Sequence, residues 1–208
     1  MIKAIYFDFD GVLSPDKNDG HTTCMNLSNV TGIDFDTLYK AYSPFLERLY
    51  AGKITNKELW NDFCKAVGKD IDIGLLEPAL KDAPKNEEML QLAKTLKKNG
   101  YPVGVITNQA VDRYDLLKDD FELESVFAPV IVSAKIGCTK RGEFGGEEIF
   151  NAALRPHDLK PDECVFIDNS ESNLTIPKAM GFHTYFHDDS KNDVPAFVTW
   201  LKELEVNV

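Results

Sequence analysis

The sequence predicts an α/β protein with a Rossmann-like parallel sheet flanked by helices and a four-helix cap inserted into it. Two observations predict this fold. Apolar, strand-like runs alternate with amphipathic helical segments over the second half of the chain, and a long, purely helical stretch follows the first strand. Alternating strands and helices form crossover units, which join parallel strands. A chain of 208 residues has room for such a core domain and a small insertion.

The composition describes an ordinary globular protein and excludes some functions. Hydrophobic residues make up 43% and charged residues 27% of the chain. The formal net charge of −11 argues against nucleic-acid binding, which needs clustered Lys and Arg. The four cysteines lack zinc-site spacing and are expected to be reduced. We see no signal peptide and no membrane-spanning run, so the expected compartment is the cytoplasm.

The first predicted strand, residues 4–7, ends in two carboxylates. Asp8 and Asp10 are one residue apart and are followed by Gly11. Ligands of open α/β sheets bind at the carboxyl ends of strands, and residues at i and i+2 of an extended chain point to the same side. Two such carboxylates repel each other, and Mg²⁺ favours one or two carboxylates together with water and phosphate. The pair therefore predicts a cation site.

Residues 16–83 show only turn signals and helical periodicity, which predicts the α-helical cap. A helix is expected over residues 34–50, and Thr55 with Glu58 predicts a capping box that opens the next helix. Shorter helices are expected near residues 23–30 and 73–80. The predicted domains are therefore a core of residues 1–15 and 84–208 and a cap of residues 16–83.

The rest of the chain alternates between helix and strand. Helices are expected over residues 87–98 and 111–118, and strands over residues 101–106, 127–132, 165–167 and 182–186. Three predicted strands end in polar residues. Parallel strands share one carboxyl edge, so we expect the following residues to converge there: Asp8, Asp10, Thr107, Asn108, Asp168 and Asn169.

At these residues the chain resembles the haloacid dehalogenase (HAD) superfamily of phosphohydrolases along nearly its whole length. The resemblance rests on four segments, which look like the family's four motifs in order. They are Asp8-Phe9-Asp10-Gly11-Val12, Ile106-Thr107-Asn108, Ser133-x-x-x-Gly137-x-x-Lys140, and Val165-Phe166-Ile167-Asp168-Asn169-Ser170-x-x-Asn173. The helical stretch between the first two motifs is similar to the branch with a small α-helical cap.

The resemblance implies a role for each motif residue. Asp8 is expected to be the nucleophile that forms an aspartyl-phosphate, and Asp10 the general acid/base. Phosphate is expected to contact Thr107, Asn108 and Lys140. The resemblance also implies Mg²⁺, held by the Asp8 side chain, the Asp10 carbonyl, Asp168 and Asn169.

Two features depart from the family pattern. Many members with this cap carry two acidic residues in the fourth motif, whereas the second position here is Asn169, which brings no charge to a cation. After Lys140, residues 141–146 form a glycine-rich insertion, which is expected to be a mobile loop beside the site. Because of this insertion, Lys135 is a second candidate for the phosphate-binding lysine.

The sequence thus predicts a Mg²⁺-dependent phosphatase of the HAD-like hydrolases that acts on a small phosphorylated metabolite. No nucleic-acid or membrane partner is expected, and the protein is expected to be a monomer or homodimer. Three alternatives stay open at this point. They are a phosphomutase with the same two aspartates, a dehalogenase, and a non-catalytic binding or regulatory module on the same scaffold.

Overall fold

The computed structural model describes all 208 residues and has one parallel sheet at its centre. The strand order is β3-β2-β1-β4-β5, and every neighbouring pair is parallel. The prediction of a Rossmann-like parallel sheet flanked by helices is confirmed. The strands are β1 (Ala4–Phe7), β2 (Val103–Thr107), β3 (Val130–Val132), β4 (Cys164–Asp168) and β5 (His183–Phe186).

The segment between β1 and β2 begins with five α-helices. They are α1 (Asp19–Thr31), α2 (Phe35–Tyr42), α3 (Leu46–Tyr50), α4 (Asn56–Val67) and α5 (Leu76–Lys81). The prediction of one helix over residues 34–50 is wrong, and the segment therefore has five α-helices where four were predicted. A 3₁₀ turn at Ser43–Phe45 separates α2 from α3, because Pro44 has no N–H to continue the helical ladder.

Side-chain caps set the starts of two of these helices. α1 begins four residues earlier than expected, because the Asn18 side chain accepts a hydrogen bond from the His21 N–H and caps the helix. The capping box predicted at Thr55 and Glu58 is confirmed at the start of α4.

The remaining helices flank the sheet. They are α6 (Glu87–Lys98), α7 (Val111–Leu117), α8 (Leu123–Val126), α9 (Ser133–Ile136), α10 (Glu148–Leu154), α11 (Glu171–Met180) and α12 (Val194–Glu203). The strand expected over residues 127–132 is shorter than predicted. Phe127 directly follows α8, and Pro129 cannot donate a ladder hydrogen bond, so β3 begins at Val130.

Three hydrophobic clusters hold the molecule together. Alternate residues of β1 belong to the two clusters on either side of the sheet, with Ile5 and Phe7 in one and Tyr6 in the other. The third cluster comes from residues 24–80 and one residue outside them, Ala110. The helical segment therefore has a core of its own, as the cap hypothesis requires, while the domain bounds stay a prediction. None of the helices combines the length and apolar character needed to cross a bilayer.

Candidate active site

The carboxyl ends of the central strands bring acidic residues from distant parts of the chain together. Asp8 follows β1 directly, and its N–H donates to the carbonyl of Ile167, 2.9 Å away on the neighbouring β4. Asp168 is the last residue of β4. Adjacent parallel strands in this register place Asp8 and Asp168 side by side.

Lys140 lies between these two carboxylates. Its Nζ is 2.7 Å from Asp8 Oδ2 and 2.5 Å from Asp168 Oδ2, and all three side chains are buried. Asp168 is further fixed, since its Oδ1 accepts hydrogen bonds from the Ser170 N–H at 2.8 Å and from Asn173 Nδ2 at 3.0 Å. The phosphate-binding candidate from the third motif therefore reaches the predicted nucleophile.

Burial and charge shift the ionisation of this first cluster. Burial raises the pKa of Asp8 well above its usual range, and the Asp168 carboxylate raises it further, while Lys140 opposes both. Burial lowers the pKa of Lys140, but Asp168 and Asp8 more than offset this, so its net pKa is raised. The lysine is therefore held as an ammonium.

A second carboxylate–cation pair occupies the other side of the site, and sequence reasoning missed it. Arg113 on α7 donates from Nη1 and Nη2 to the two oxygens of Asp10, both at 2.9 Å. The guanidinium is completely buried, and its Cζ lies 5.6 Å from the centroid of the Phe9 ring. The available sequence signal was an arginine on the helix that follows the second motif.

Asp19 lies next to this pair and was also missed. It is 1% exposed, and both of its carboxylate oxygens are buried without a close hydrogen bond. Burial raises its pKa to about 7; Arg113 opposes that rise, Asp10 and Asp112 add to it, and the backbone N–H of Ala110, at the start of α7, also opposes it. The carboxylates of Asp10 and Asp19 together raise the pKa of Arg113, although burial alone would lower it.

The remaining predicted site residues lie at the same sheet edge. Thr107 ends β2, and its hydroxyl is buried without a partner. Asn108 accepts a hydrogen bond through Oδ1 from the Lys140 N–H at 2.9 Å, which fixes the start of the lysine's loop. Asn169 donates through Nδ2 to the Lys17 carbonyl at 3.0 Å.

Tight packing explains one further feature of the first motif. Gly11 has φ +81°, and a Cβ added there would lie 2.0 Å from Asn169 Nδ2. Glycine is therefore required both by the backbone conformation and by the close approach of the fourth motif.

The second lysine candidate lies outside the site. Lys135 is exposed, with its Nζ 3.6 Å from Asp115 Oδ1 and 3.9 Å from the centroid of the Tyr114 ring. The structure therefore brings Lys140, and not Lys135, to Asp8. The phosphate-binding role of Lys140 stays a prediction.

The glycine-rich insertion at residues 141–146 is a hydrogen-bonded turn against the helical segment. The Thr139 N–H donates to the Phe144 carbonyl at 2.9 Å, and a Cβ at Gly142 would lie 2.6 Å from the Glu47 carboxylate. Lys53 also lies over the Phe144 ring at 5.7 Å. The insertion thus connects the two parts of the molecule, and its mobility stays a prediction.

The two clusters border one cavity of about 210 Å³, and Tyr50 is the one hydrophobic residue among its 12 lining residues. Pockets for drug-sized ligands usually have roughly 300–1,000 Å³, so this cavity suits a small ligand. Its polar and charged lining residues are Asp8, Asp10, Lys17, Asn18, Asp19, Asn108, Lys140, Arg141, Asn169, Ser170 and Asn173.

The donor set at the end of β1 and β4 fits a hard divalent cation. No three His, Cys, Asp or Glu side chains form a metal cluster, so such a site would consist of two carboxylates and neutral oxygens. Mg²⁺ commonly binds in this way, through one or two carboxylates. The first cluster also has two carboxylates and only one cation, Lys140. The Asp10 carbonyl and the Asn169 amide would supply the neutral oxygens.

The fold and this acidic site define a Rossmann-like α/β protein with a candidate active site at the carboxyl ends of its strands. The haloacid dehalogenase-like hydrolase family matches residues 2–181 of the chain. The protein therefore belongs to the HAD-like hydrolases, and the resemblance seen in its four motifs is confirmed.

Similar proteins share the fold over most of the chain. A HAD-like hydrolase from Porphyromonas gingivalis has a TM-score of 0.74 at 23% identity, covering 97% of this chain and 98% of its own. A HAD family enzyme from Bacteroides thetaiotaomicron, an Asp-to-Ala mutant in complex with magnesium and inorganic phosphate, has a TM-score of 0.72 at 23% identity, covering 89% of this chain and 94% of its own.

A curated relative is longer than this chain. Bifunctional epoxide hydrolase 2 of Rattus norvegicus is 28% identical over 225 residues, which cover 98% of this chain and 38% of the relative. The chain thus spans about two fifths of that protein.

Proposed function

We propose that the protein is a Mg²⁺-dependent phosphatase that hydrolyses a small phosphomonoester through an aspartyl-phosphate on Asp8. One observation carries the proposal: Lys140 reaches the Asp8 carboxylate at 2.7 Å inside a small polar cavity that Asp10 also lines. This geometry sets a nucleophile, a phosphate-neutralising cation and a second carboxylate around one reacting centre. The fold-sharing Bacteroides enzyme, which binds magnesium and inorganic phosphate, supports the proposal by analogy.

In the first step, a carboxylate oxygen of Asp8 attacks the phosphorus atom. A new O–P bond forms while the bond from phosphorus to the substrate oxygen breaks, and Asp10 gives its proton to the departing oxygen. Each Asp10 oxygen accepts one hydrogen bond from Arg113 and keeps a second lone pair, which is where this proton would be held.

In the second step, water attacks the phosphorus of the aspartyl-phosphate. Asp10 takes a proton from that water, the bond between Asp8 and phosphorus breaks, and inorganic phosphate leaves. Positioned positive charge and donors supply most of the catalysis in phosphoryl transfer. Lys140, the Thr107 hydroxyl and the Asn108 amide would provide them from the protein.

A cation held by Asp8, Asp168, the Asp10 carbonyl and Asn169 would neutralise the phosphoryl oxygens when bound. The small volume of the cavity favours a small phosphorylated metabolite as the substrate. We further propose that the protein is cytoplasmic and is a monomer or a homodimer.

The test is a phosphatase screen of wild-type protein and Asp8→Asn against a panel of phosphomonoesters, with and without Mg²⁺. We expect phosphate release by the wild type only with Mg²⁺, and a loss of at least about 10⁴-fold in Asp8→Asn, as for other nucleophile removals. Circular dichroism checks that the variant is folded. Phosphate release that survives Asp8→Asn would falsify the covalent mechanism, and isomer formation without phosphate release would indicate a phosphomutase.

A further inference from the structure

One protein group holds the Asp10 carboxylate, and the proposed chemistry does not use that group directly. Arg113 on α7 donates from Nη1 to Asp10 Oδ2 and from Nη2 to Asp10 Oδ1, both at 2.9 Å, and no other hydrogen bond reaches this carboxylate. The arginine side chain is 0% exposed, so it does not contact a substrate in the cavity. Arg113 therefore acts on the reaction only through Asp10.

The guanidinium of Arg113 is anchored from two directions. Its Cζ lies 5.6 Å from the centroid of the Phe9 ring, which in turn packs against the ring of Phe121 at 4.7 Å between centroids. On the backbone side, the neighbouring Asp112 accepts hydrogen bonds from the Asn56 N–H at 2.9 Å and from Asn56 Nδ2 at 2.8 Å. These bonds join the first turn of α7 to the first turn of α4, so the arginine is fixed relative to both parts of the molecule.

A bidentate arginine controls the orientation of a carboxylate more strictly than a lysine does. Two parallel N–H···O bonds fix the plane of the carboxylate, whereas an ammonium is a point charge with rotatable donors. Lys140 contacts Asp8 in that second way, at 2.7 Å. Arg113 occupies one lone pair on each Asp10 oxygen, so the remaining lone pair on each is available for the proton that moves during the reaction.

Stability alone is a weak explanation for the Arg113–Asp10 pair. The attraction within a buried ion pair often does no more than offset the desolvation of its members, and apolar residues of similar volume would stabilise the fold as well or better. Arg113 also has its Nε buried without a hydrogen bond. The arginine is explained if the reaction requires a carboxyl group of fixed orientation at Asp10.

We propose, on the basis of the phosphatase function above, that Arg113 is a positioning residue that orients Asp10 for both of its proton transfers. In the first step, Asp10 gives a proton to the departing oxygen as the bond from that oxygen to phosphorus breaks. In the second step, Asp10 takes a proton from the water that attacks the aspartyl-phosphate. Placement matters here because a displacement of about 1 Å can cost about 100-fold in rate.

The test compares two substrates whose leaving groups differ in basicity, in the wild type and in Arg113→Lys, with Mg²⁺ present. Benzyl phosphate has a basic leaving oxygen that needs a proton, whereas p-nitrophenyl phosphate releases a stable anion that needs none. The departure of the leaving group determines kcat/KM. We expect kcat/KM to fall at least about 10-fold more for benzyl phosphate than for p-nitrophenyl phosphate, since general acid catalysis contributes about 10²- to 10⁴-fold. Asp10→Asn should give the same pattern.

A second readout separates positioning from a loss of folded protein. With p-nitrophenyl phosphate, Asp10 must still take a proton from water, so the second step slows in Arg113→Lys. We expect kcat for this substrate to fall at least about 10-fold with little change in kcat/KM, so that KM falls by the same factor. p-Nitrophenolate should then appear in a burst. A smaller folded fraction would lower kcat and leave KM unchanged.

A second bidentate pair in the chain provides a matched control. Arg155 donates to the two carboxylate oxygens of Glu148 at 2.8 and 2.7 Å on the exposed surface, and Arg155→Lys should leave kcat and KM unchanged for both substrates.

A measurement on the wild type does not depend on the folding of any variant. A guanidinium that makes two bonds to one carboxylate rotates slowly, so its η hydrogens give separate NMR signals. We expect the separate signals of Arg113 to persist when orthovanadate and Mg²⁺ are added to the wild type.

The outcomes separate the inference from the function on which it rests. Equal losses of kcat/KM for the two substrates in Arg113→Lys, an unchanged KM for p-nitrophenyl phosphate, or averaging of the Arg113 signals on addition of orthovanadate would overturn the inference alone. Absence of wild-type turnover on every phosphomonoester, including p-nitrophenyl phosphate, would overturn the phosphatase proposal and the inference with it.

Discussion

Two buried clusters border the same cavity, and each sets one cation against two carboxylates. In the first cluster, Lys140 bonds to both Asp8 and Asp168. In the second cluster, Arg113 uses both terminal nitrogens on Asp10 and makes no hydrogen bond to Asp19. The compact ammonium of Lys140 contacts two carboxylates, whereas the planar guanidinium of Arg113 binds both oxygens of one carboxylate.

On the proposed function, the first cluster would face the phosphoryl group, and the second cluster would hold Asp10, the proposed general acid/base. The comparison teaches that two sites with the same balance of charge can differ in bonding, because the ammonium of Lys140 is shared between two carboxylates and the guanidinium of Arg113 is not.

The largest expected effect comes from removing the lysine of the first cluster. Lys140→Met leaves two buried carboxylates unopposed, so we expect a loss of about 3–5 kcal/mol in the free energy of unfolding. We also expect about a 10²- to 10³-fold loss in kcat from removing one charged group at the phosphoryl oxygens. Urea unfolding and phosphate release measure the two effects. Lys135→Met is the control, and an equal loss of activity there would contradict the assignment of Lys140.

Removing the arginine tests whether the second cluster differs as described. Arg113→Met leaves the buried carboxylates of Asp10 and Asp19 without a neighbouring cation. We expect this to lower the free energy of unfolding by about 3–5 kcal/mol. Adding Asp19→Asn to Arg113→Met should recover part of that cost, because only one buried carboxylate is then unpaired. Urea unfolding of the two single variants and the double variant gives the coupling energy. Strict additivity would show that Arg113 and Asp19 do not interact.

The pH dependence of stability should reveal the unpaired carboxylate. The folded-state pKa of Asp19, about 7, is above the ordinary value of 3.8, so the folded protein binds more protons between these values. Its contribution to stability is therefore fully present below about pH 4 and is lost as the pH rises to 7. Asp19→Asn should then be more stable than the wild type by about 2–4 kcal/mol at pH 8, with little difference at pH 4. Urea unfolding of both proteins between pH 4 and pH 8 checks this prediction. The same dependence of the free energy of unfolding on pH in both proteins would contradict it.

The smallest expected effect concerns Thr107 on the phosphoryl side. Its buried hydroxyl has no partner in the protein, so Thr107→Val should keep the free energy of unfolding or raise it by about 1 kcal/mol. If the hydroxyl donates to phosphate, kcat/KM should fall about 10-fold in the same variant. Thermal unfolding beside steady-state kinetics checks both. A loss of stability without a loss of activity would assign Thr107 to the core.

Sequence reasoning identified the parts of the site that follow strand ends. Asp8 and Asp168 could be predicted because a buried apolar run stops at each of them, and parallel strands share one carboxyl edge. Lys140 came from the spacing of a motif, which left Lys135 open until the structure placed that residue outside. The break at Pro44 could also have been inferred, since proline cannot continue a helix beyond its first turn.

The chain by itself determined the sheet, the capping box at Thr55 and the acidic ends of its strands, because these depend on periodicity and on contacts between near neighbours. Only the tertiary structure decided the second cluster. Arg113 and Asp10 are 103 residues apart, and they meet because α7 lies beside the segment that follows β1. Asp19 joins them through the start of α1. Such long-range contacts depend on the angles at which helices pack, and local sequence signals do not encode these angles.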